Sequence, residues 1–326
     1  DLHRRRHSFP TRRSSDLEFS IIYQHFKALS CPHTQTVLGI GDDCALTRLP
    51  TNQQLVSCVD TLVAGRHFPC DTSPFAIGYK SVAVNLSDLA AMGAAPYAIL
   101  LALSLPTKFA HDDWMSQFAR GIADICHQFN VELIGGDTTQ SDILTISVTA
   151  LGFVPTGQAI LRRGATVGDV VCVSGDIGSA SFALQQVLAG EQSKLQTALD
   201  LPSPQVDLGQ KLRGFASSMI DISDGLGQDL GHILTASNVG AVIDLAAIPT
   251  HPLLQDLPNP KKWQYQMNGG DDYQLCFTLP KEKFDAFNQQ NPHQIFAIGK
   301  IVTEKGLTLT YNQENVAFAI QGFQHF

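Results

Sequence analysis

The chain has 326 residues, 44% hydrophobic and 16% charged, with a net charge of −8. That length is long for one core and comfortable for two, the acidic balance argues against a nucleic-acid-binding surface, and apolar runs broken by Gly, Asp and Pro leave no membrane-spanning stretch. The seven Cys are scattered without a C-x-x-C pair, which suits a reducing, cytoplasmic setting and argues against a zinc site or a disulfide framework.

Residues 1–17 hold five Arg and two Asp with no apolar period. They are read as a non-native or disordered tail, with an Arg-rich transit peptide as the rival, and are set aside. The spacing of Phe19, Ile22, Tyr23 and Phe26 predicts a helix over 18–29. Short strands are expected over 37–40, before Gly41-Asp42-Asp43, and over 55–59, before Asp60-Thr61. Ser73 as N-cap and Pro74 in the first turn open a helix that runs to about Met92. A strand over 98–105 stops at Pro106. Trp114, Phe118, Ile122, Ile125 and Phe129 place a helix over 112–129. A strand over 131–134 leads into Gly135-Gly136-Asp137-Thr138-Thr139. Alternation of Leu144, Ile146, Val148 and Ala150 with Thr145, Ser147 and Thr149 marks a half-buried strand. Gly, Pro and Thr over 152–157 mark a domain boundary. Beyond it, strands are expected over 169–174, 219–222, 241–245, 274–279, 295–301 and 306–311. Helices are expected over 179–188, 206–216, 226–234 and 281–289, with a polar connection over 190–204. Strands mixed with helices in both halves make two α/β (α+β) domains the expected fold, over 18–152 and 153–326.

One residue in the first half is out of place. Ile77, Val82, Val84, Leu86, Leu89, Ala90 and Met92 make the helix over 74–92 apolar on most sides, so it is largely buried. Asp88 lies in that run, one turn from the helix end at Gly93. A carboxylate there meets the negative end of the helix dipole and is desolvated, with no basic neighbour in sequence closer than Lys80. Asn85 lies one turn earlier on the same face. Something positive must meet this face, either an Arg or Lys from elsewhere or a metal ion.

Asp88 has company. Asp42, Asp43, Asp60, Asp88, Asp137, Asp221, Asp224, Asp271 and Asp272 are nine of the 30 acids, and all lie within two residues of a Gly, Ser or Thr, next to apolar runs. Most fall just past an expected strand, where loops converge on one cleft. Uncompensated carboxylates in one cleft repel one another unless cations hold them. Oxygen ligands without His or Cys select Mg²⁺, Mn²⁺ or Ca²⁺ over zinc, and Mg²⁺ shares its shell with phosphates, so the cluster points to phosphoryl transfer. Turn and cap roles are the better reading for Asp42, Asp169, Asp229 and Asp272 taken singly. Asp221, Ser223 and Asp224 precede a helix, where oxygens serve either as caps or around a phosphate. The chain lacks a P-loop, a G-x-G-x-x-G fingerprint and the kinase H-R-D and D-F-G set. Gly175-x-x-Gly178-Ser179 reads as an ordinary strand-to-helix turn in preference to a phosphate cradle.

Five segments occur in an order that resembles the thiamine-monophosphate kinases, of the superfamily that includes aminoimidazole ribonucleotide synthetase and selenophosphate synthetase. They are Gly39-Ile-Gly41-Asp42-Asp43-Cys44-Ala45, Asp60-Thr61-Leu62-Val63-Ala64-Gly65-x-His67-Phe68, Asn85-Leu-Ser-Asp88-Leu-Ala-Ala-Met-Gly93, Ile134-Gly-Gly-Asp137-Thr138-Thr139 and Ile220-Asp221-Ile-Ser-Asp224-Gly225. The resemblance covers 18–326. It implies an N-terminal ATP- and Mg²⁺-binding domain with a mixed sheet and helices, whose sheet pairs with that of a second subunit in a dimer barrel. It implies a C-terminal α/β sandwich, and ATP with several Mg²⁺ in the cleft between the domains. Carried over by position, Asp43, Asp60, Asp88, Asp137, Asp221 and Asp224 resemble the metal ligands. Gly136, Asp137, Arg162 and Ser223 resemble the ATP contacts. His67, Asp271 and Ile320 fall at the thiamine-phosphate site. Three positions depart from the pattern: Cys58-Val59 replaces a hydroxyl pair, Asp271 replaces a common Glu, and Ile320 replaces a common Trp for which Phe318 or Phe323 would substitute.

The activity this implies is transfer of the ATP γ-phosphoryl group to thiamine monophosphate, in the cytoplasm, with no protein side chain needed as a strong base. Two rivals are another ATP-dependent enzyme of the superfamily and a non-catalytic nucleotide- or metal-binding homologue. Neither a nucleic acid nor a membrane is an expected partner.

Overall fold

A computed structural model describes residues 22–26 and 32–322; the expected tail at 1–17, most of the expected helix over 18–29, and Phe323 lie outside them. Within that expected helix, a helical turn at Ile22–Phe26 sets Phe26 edge-on to Phe118, with ring centroids 6.4 Å apart. A short ribbon of β1 (Thr36–Leu38) and β2 (Leu46–Thr47) follows. Then come β3 (Gln53–Val63), α1 (Pro74–Ala91), β4 (Ala95–Leu105), α2 (Asp112–Phe129), β5 (Glu132–Gln140) and β6 (Thr145–Pro155). Among the described residues β3 to β6 form one four-stranded sheet in the order β3-β6-β4-β5. The β4–β5 pair is parallel, with α2 as its crossover, and the other two pairs are antiparallel.

The local signals explain the helices. Ser73 Oγ accepts the Ala76 N–H at 3.2 Å, and Pro74 needs no donor in the first turn. Asp112 and Asp113 occupy the first turn of α2, and Asn130 closes it in a left-handed conformation, φ 53°. The two helices cross where each carries a glycine. A Cβ on Gly78 would stand 2.1 Å from the Phe118 carbonyl oxygen, and one on Gly121 would stand 2.0 Å from that of Phe75. Only hydrogen fits, so the backbones touch.

Two strands run further than periodicity indicates. Asp60 and Asp137 lie inside β3 and β5 rather than beyond them. Gly-Gly-Asp has little strand propensity. It is held extended because β4 offers a full ladder, pairing Leu101 with Gly136 and Ala102 with Asp137. Likewise β6 continues past residue 152 to Pro155, opposite Gln53.

The second half contains β7 (Val170–Val173), α3 (Ser179–Leu188), α4 (Gln196–Asp200), α5 (Val206–Lys211), β8 (Ser218–Asp221), α6 (Leu226–Ser237), β9 (Gly240–Asp244), α7 (Pro252–Gln255), α8 (Asn259–Asn268), β10 (Leu275–Leu279), α9 (Lys281–Gln290), β11 (Phe296–Val302), β12 (Gly306–Tyr311) and β13 (Glu314–Val316). Among the described residues its seven strands lie in the order β13-β12-β9-β11-β7-β10-β8, and only β9–β12 is parallel. Helix α8 has no sequence signal strong enough to announce it: its polar residues carry only Trp263, Tyr265 and Met267 as apolar anchors. No described helix is long and apolar enough to cross a membrane.

Helix α1 is the seam between the halves. One continuous core joins Leu86, Leu89 and Ala90 of α1 and Leu101, Leu103 and Val148 of the first sheet to Leu208, Leu212, Met219 and Phe277 of the second half. We expect Gly121→Ala to destabilise the protein by about 1–3 kcal/mol despite alanine's better helix propensity, because overpacking forces α1 and α2 apart. Thermal unfolding checks this: an unchanged or raised Tm would refute the close-crossing account.

A carboxylate cleft at the seam

Strand β3 presents Asp60 on the face that packs against the helices. Asp60 shares its cross-strand row with buried Val148 and Leu101. Its backbone N–H donates to Asn85 Oδ1 at 3.0 Å, and Asn85 Nδ2 in turn donates to Ser81 O at 3.0 Å. Asn85 therefore docks β3 onto α1. Two residues on, Ser87 Oγ donates to Asp221 Oδ2 at 2.9 Å across the seam, with both residues buried. Asp221 ends β8, and Asp224 follows in the turn before α6.

These acids feel one another. Burial raises the Asp60 carboxyl above its usual range, and Asp224 adds to the rise. Burial raises Asp88 most, followed by the fields of Asp221 and Asp60, against the Cys58 thiol and Arg162. Asp221 is also raised by burial; the Ser87 hydrogen bond and Arg162 oppose the rise, and Asp60 adds to it. Asp60, Asp88, Asp221 and Asp224, drawn from both halves, thus share one negative region into which Arg162 projects a positive field. Among the described residues no three His, Cys, Asp or Glu side chains converge closely enough to hold a metal ion by themselves.

Asp43 and Asp137 stand elsewhere. Asp137 shares a cross-strand row with Ala102, Ser147 and Thr61, on the face of the sheet opposite Asp60. The two acids also occupy opposite edge strands, three strand spacings or about 14 Å apart. Asp43 sits in the exposed loop between β1 and β2, and with Gly136 and Asp137 it lines a groove of about 760 Å³ on that opposite face.

Other acids have structural partners. Asp229 Oδ2 accepts the N–H groups of Ser223, Asp224 and Gly225, each at 3.1 Å, so it shapes the turn that aims Asp221 and Asp224. Asp272 accepts from Gly178 N at 2.7 Å and Ala180 N at 3.3 Å, filling the N-terminus of α3. A carboxylate already occupies the turn that a phosphate would need there. Asp169 takes the backbone N–H and hydroxyl of Thr166, each at 3.0 Å, and the exposed Asp42 takes the Asp43 N–H at 2.9 Å.

The remaining expected positions are spread around the cleft. Ser223 is half-buried in the Asp229 turn. His67 lies in the loop after β3, where its Nδ1 accepts the Val63 N–H at 3.0 Å. Asp271 pairs with Lys80 at 2.9 Å. Ile320 packs over Gly227 in the first turn of α6, where a Cβ would lie 2.8 Å from its Cγ2. Asn268 clamps this C-terminal strap through Ala319 O and Gln321 N, at 3.0 and 2.9 Å. Phe318 packs edge-on to Trp263, 6.3 Å away, in the core of the second half. Cys58 donates to Asn85 O at 3.4 Å, and Val59 is 62% exposed on the opposite face. The sequence reading missed Lys80 and Ser87 as members of the site. Their signal was helical spacing: 80, 84, 87 and 91 form one stripe, and two of its four residues are polar, beside Ser81, Asn85 and Asp88 in a helix whose other residues are mostly apolar.

The fold and cleft belong to a class of two-part proteins: residues 41–154 match the family described as AIR synthase related protein, N-terminal domain, and residues 166–312 match its C-terminal domain. Within that class, a thiamine-monophosphate kinase of Escherichia coli K12 is 40% identical over 325 residues, covering 95% of this chain and 98% of that protein. The crystal structure of thiamine-monophosphate kinase from Stenotrophomonas maltophilia K279a is also 40% identical, with a TM-score of 0.83, covering 91% of this chain and 97% of that one. A structure of AaThiL complexed with AMPPCP and TMP is 28% identical, with a TM-score of 0.75, covering 98% of this chain and 100% of that one. The chain belongs to the thiamine-monophosphate kinase family.

The raised acids have a consequence for stability. Between its unperturbed 3.8 and about 8, native Asp88 keeps a proton that the unfolded chain has lost. The native state then binds more protons, so unfolding free energy falls as pH rises through this window. We expect metal-free protein to lose stability from about pH 4 to pH 8, and Asp88→Asn to lose less over the same range. Urea unfolding in the presence of a chelator reads the two slopes, and parallel curves would contradict the assignment.

Proposed function

We propose that this chain transfers the ATP γ-phosphoryl group to thiamine monophosphate, giving thiamine diphosphate and ADP, in the cytoplasm. One observation carries the reading: four carboxylates from both halves face one another at the seam of a chain that matches thiamine-monophosphate kinases over nearly its whole length. That donor set fits a hard divalent cation. Burial, with their neighbours' negative fields, raises the proton affinity of Asp60, Asp88 and Asp221, a charge a divalent cation would offset, and Mg²⁺ completes its shell with water and phosphate oxygens rather than requiring an all-protein cage.

In this reading Asp60, Asp88, Asp221 and Asp224 hold Mg²⁺, with Asp43 and Asp137 as further ligands. Bound Mg²⁺ supplies the positive charge that a net −8 chain lacks for two phosphate-bearing anions. Gly136, Asp137, Arg162 and Ser223 receive ATP, and His67, Asp271 and Ile320 receive the acceptor. Arg162 adds charge at the phosphates, and the Asp229 turn keeps Ser223 and Asp224 aimed into the cleft. The acceptor phosphate oxygen is already anionic near neutral pH, so the protein's task is positioning. Asp60→Asn or Asp221→Asn removes turnover while the fold survives, as read by thiamine diphosphate formation from ATP, Mg²⁺ and thiamine monophosphate. Near-normal rates at saturating Mg²⁺ would refute the ligand assignment. ATP binding without product from the unaltered protein would favour a non-catalytic homologue.

The separation of Asp137 from Asp60 supports a homodimer joined through the outer face of the first sheet, where Leu55 and Val59 are 48% and 62% exposed. Each site then takes Asp60 from one copy and Asp43, Gly136 and Asp137 from the other. Mixed dimers test this. Inactive Asp60→Asn and Asp137→Asn proteins, unfolded and refolded together, should regain up to about a quarter of normal activity, because half of the random dimers carry one intact site. No recovery in a confirmed mixed dimer would place both residues in a single-chain site.

A further inference from the structure

Lys80 is the one buried Lys or Arg among the described residues, 3% exposed. It leaves the second turn of α1 on the stripe that faces the second half, and its Nζ donates to Asp271 Oδ2 at 2.9 Å. The other Asp271 oxygen accepts the Tyr273 hydroxyl, also at 2.9 Å. The loop behind is pinned as well. Asp271 N–H donates to Ser223 O at 2.9 Å and Tyr273 N–H to Ile222 O at 2.8 Å. Asp271 and Tyr273 hold left-handed φ values of 68° and 49°, a conformation non-glycine residues keep only where their surroundings over-determine it.

A buried ammonium without a partner is costly, and so is a carboxylate whose partner is removed. Lys80, Asp271 and Tyr273 therefore behave as one unit, with its cation on the first half and its anion on the second. The unit decides where the Asp271 carboxylate stands when the two halves are together. The acceptor carries a thiazolium cation and an amino-pyrimidine, the parts of thiamine monophosphate that a fixed carboxylate attracts.

We propose that Lys80 is a positioning residue for acceptor recognition: from the opposite half of the molecule, it sets the Asp271 carboxylate that meets thiamine monophosphate. The inference rests on the kinase reading and on Asp271 belonging to the acceptor site. Lys80 acts through Asp271, so its loss changes the affinity for one substrate and not the other.

Steady-state kinetics of Lys80→Met, Asp271→Asn and the double variant test this, with the melting temperature of each recorded. Lys80→Met should raise the KM for thiamine monophosphate roughly tenfold or more, the order of a lost charge-assisted hydrogen bond, while the KM for ATP stays within about twofold. The double variant should be no worse than the poorer single variant, because both remove the same interaction. It also removes the orphaned charge, so it remains measurable if Lys80→Met alone folds poorly. An unchanged acceptor KM in Lys80→Met overturns the proposal. So do effects that multiply in the double variant, which would make Lys80 a direct substrate contact. A parallel rise in both KM values with a lowered melting temperature would make its role structural and overturns it too. Unaltered protein that forms no thiamine diphosphate overturns the kinase reading and this inference together, whereas the first three outcomes leave the kinase reading intact.

Discussion

The mutual repulsion of carboxylates at the seam is the constraint around which the rest is arranged. Asp60, Asp88, Asp221 and Asp224 come from a strand, the end of a helix, and the end of a second strand with its turn. Left to themselves they would separate. They stay together because a single apolar core passes from the first sheet through α1 into the second half. Burial of that area stabilises the assembly at roughly 25 cal/mol per Å² of apolar surface, and the price appears as raised proton affinity in Asp60, Asp88 and Asp221. A site held in this strained electrostatic state is matched to a cation and to the anions a cation brings.

Proton affinity alone does not separate these acids from the structural ones. Burial also pushes Asp229 and Asp272 up to about 7, yet both are saturated by backbone N–H groups. What differs is the direction in which the oxygens point. Asp229 and Asp272 face inward, onto turns whose shape they determine. Asp60 and Asp88 are partly exposed, Asp88 lies in the field of Asp60 and Asp221, and among the described residues neither receives a backbone N–H. The structural acids are nevertheless indispensable to the site, since Asp229 gathers three N–H groups so that Ser223 and Asp224 turn towards the seam.

Helix α1 has two functions that its composition keeps compatible. Its Val, Leu and Ala residues fill the space between the sheets, and one stripe carries the polar connections to the second half. Ser87 meets Asp221, and Lys80 meets Asp271. The glycine contact with α2 lies on the far side of the helix, so the backbone that carries this stripe is fixed from behind. Relative placement of the halves is thereby set by a rod rather than by a linker.

Much of this was legible in the chain. Ser73-Pro74 announced α1, the three- and four-residue spacing of Trp114 to Phe129 announced α2, and the alternation from Leu144 onwards announced β6. The position of Asp88 at the wrong end of an apolar helix marked a charged site before any partner was known, because a helix dipole and burial act on it locally. The sorting of Asp229, Asp169 and Asp42 as turn formers also follows from local chemistry, whereas Asp272 fills the N-terminus of a helix that lies far from it in the chain. Local periodicity, however, carries no record of which strand lies beside which. Pairing with β4 drew Gly-Gly-Asp137 into a strand, and register across four strands put Asp137 and Asp60 on opposite faces. Lys80 and Asp271 are 191 positions apart, and nothing near either residue names the other. Local stretches settle most of the elements and the surplus of negative charge; α8, the reach of β5 and the choice of which charges meet are settled by contact between distant segments, whose packing and register no short stretch contains.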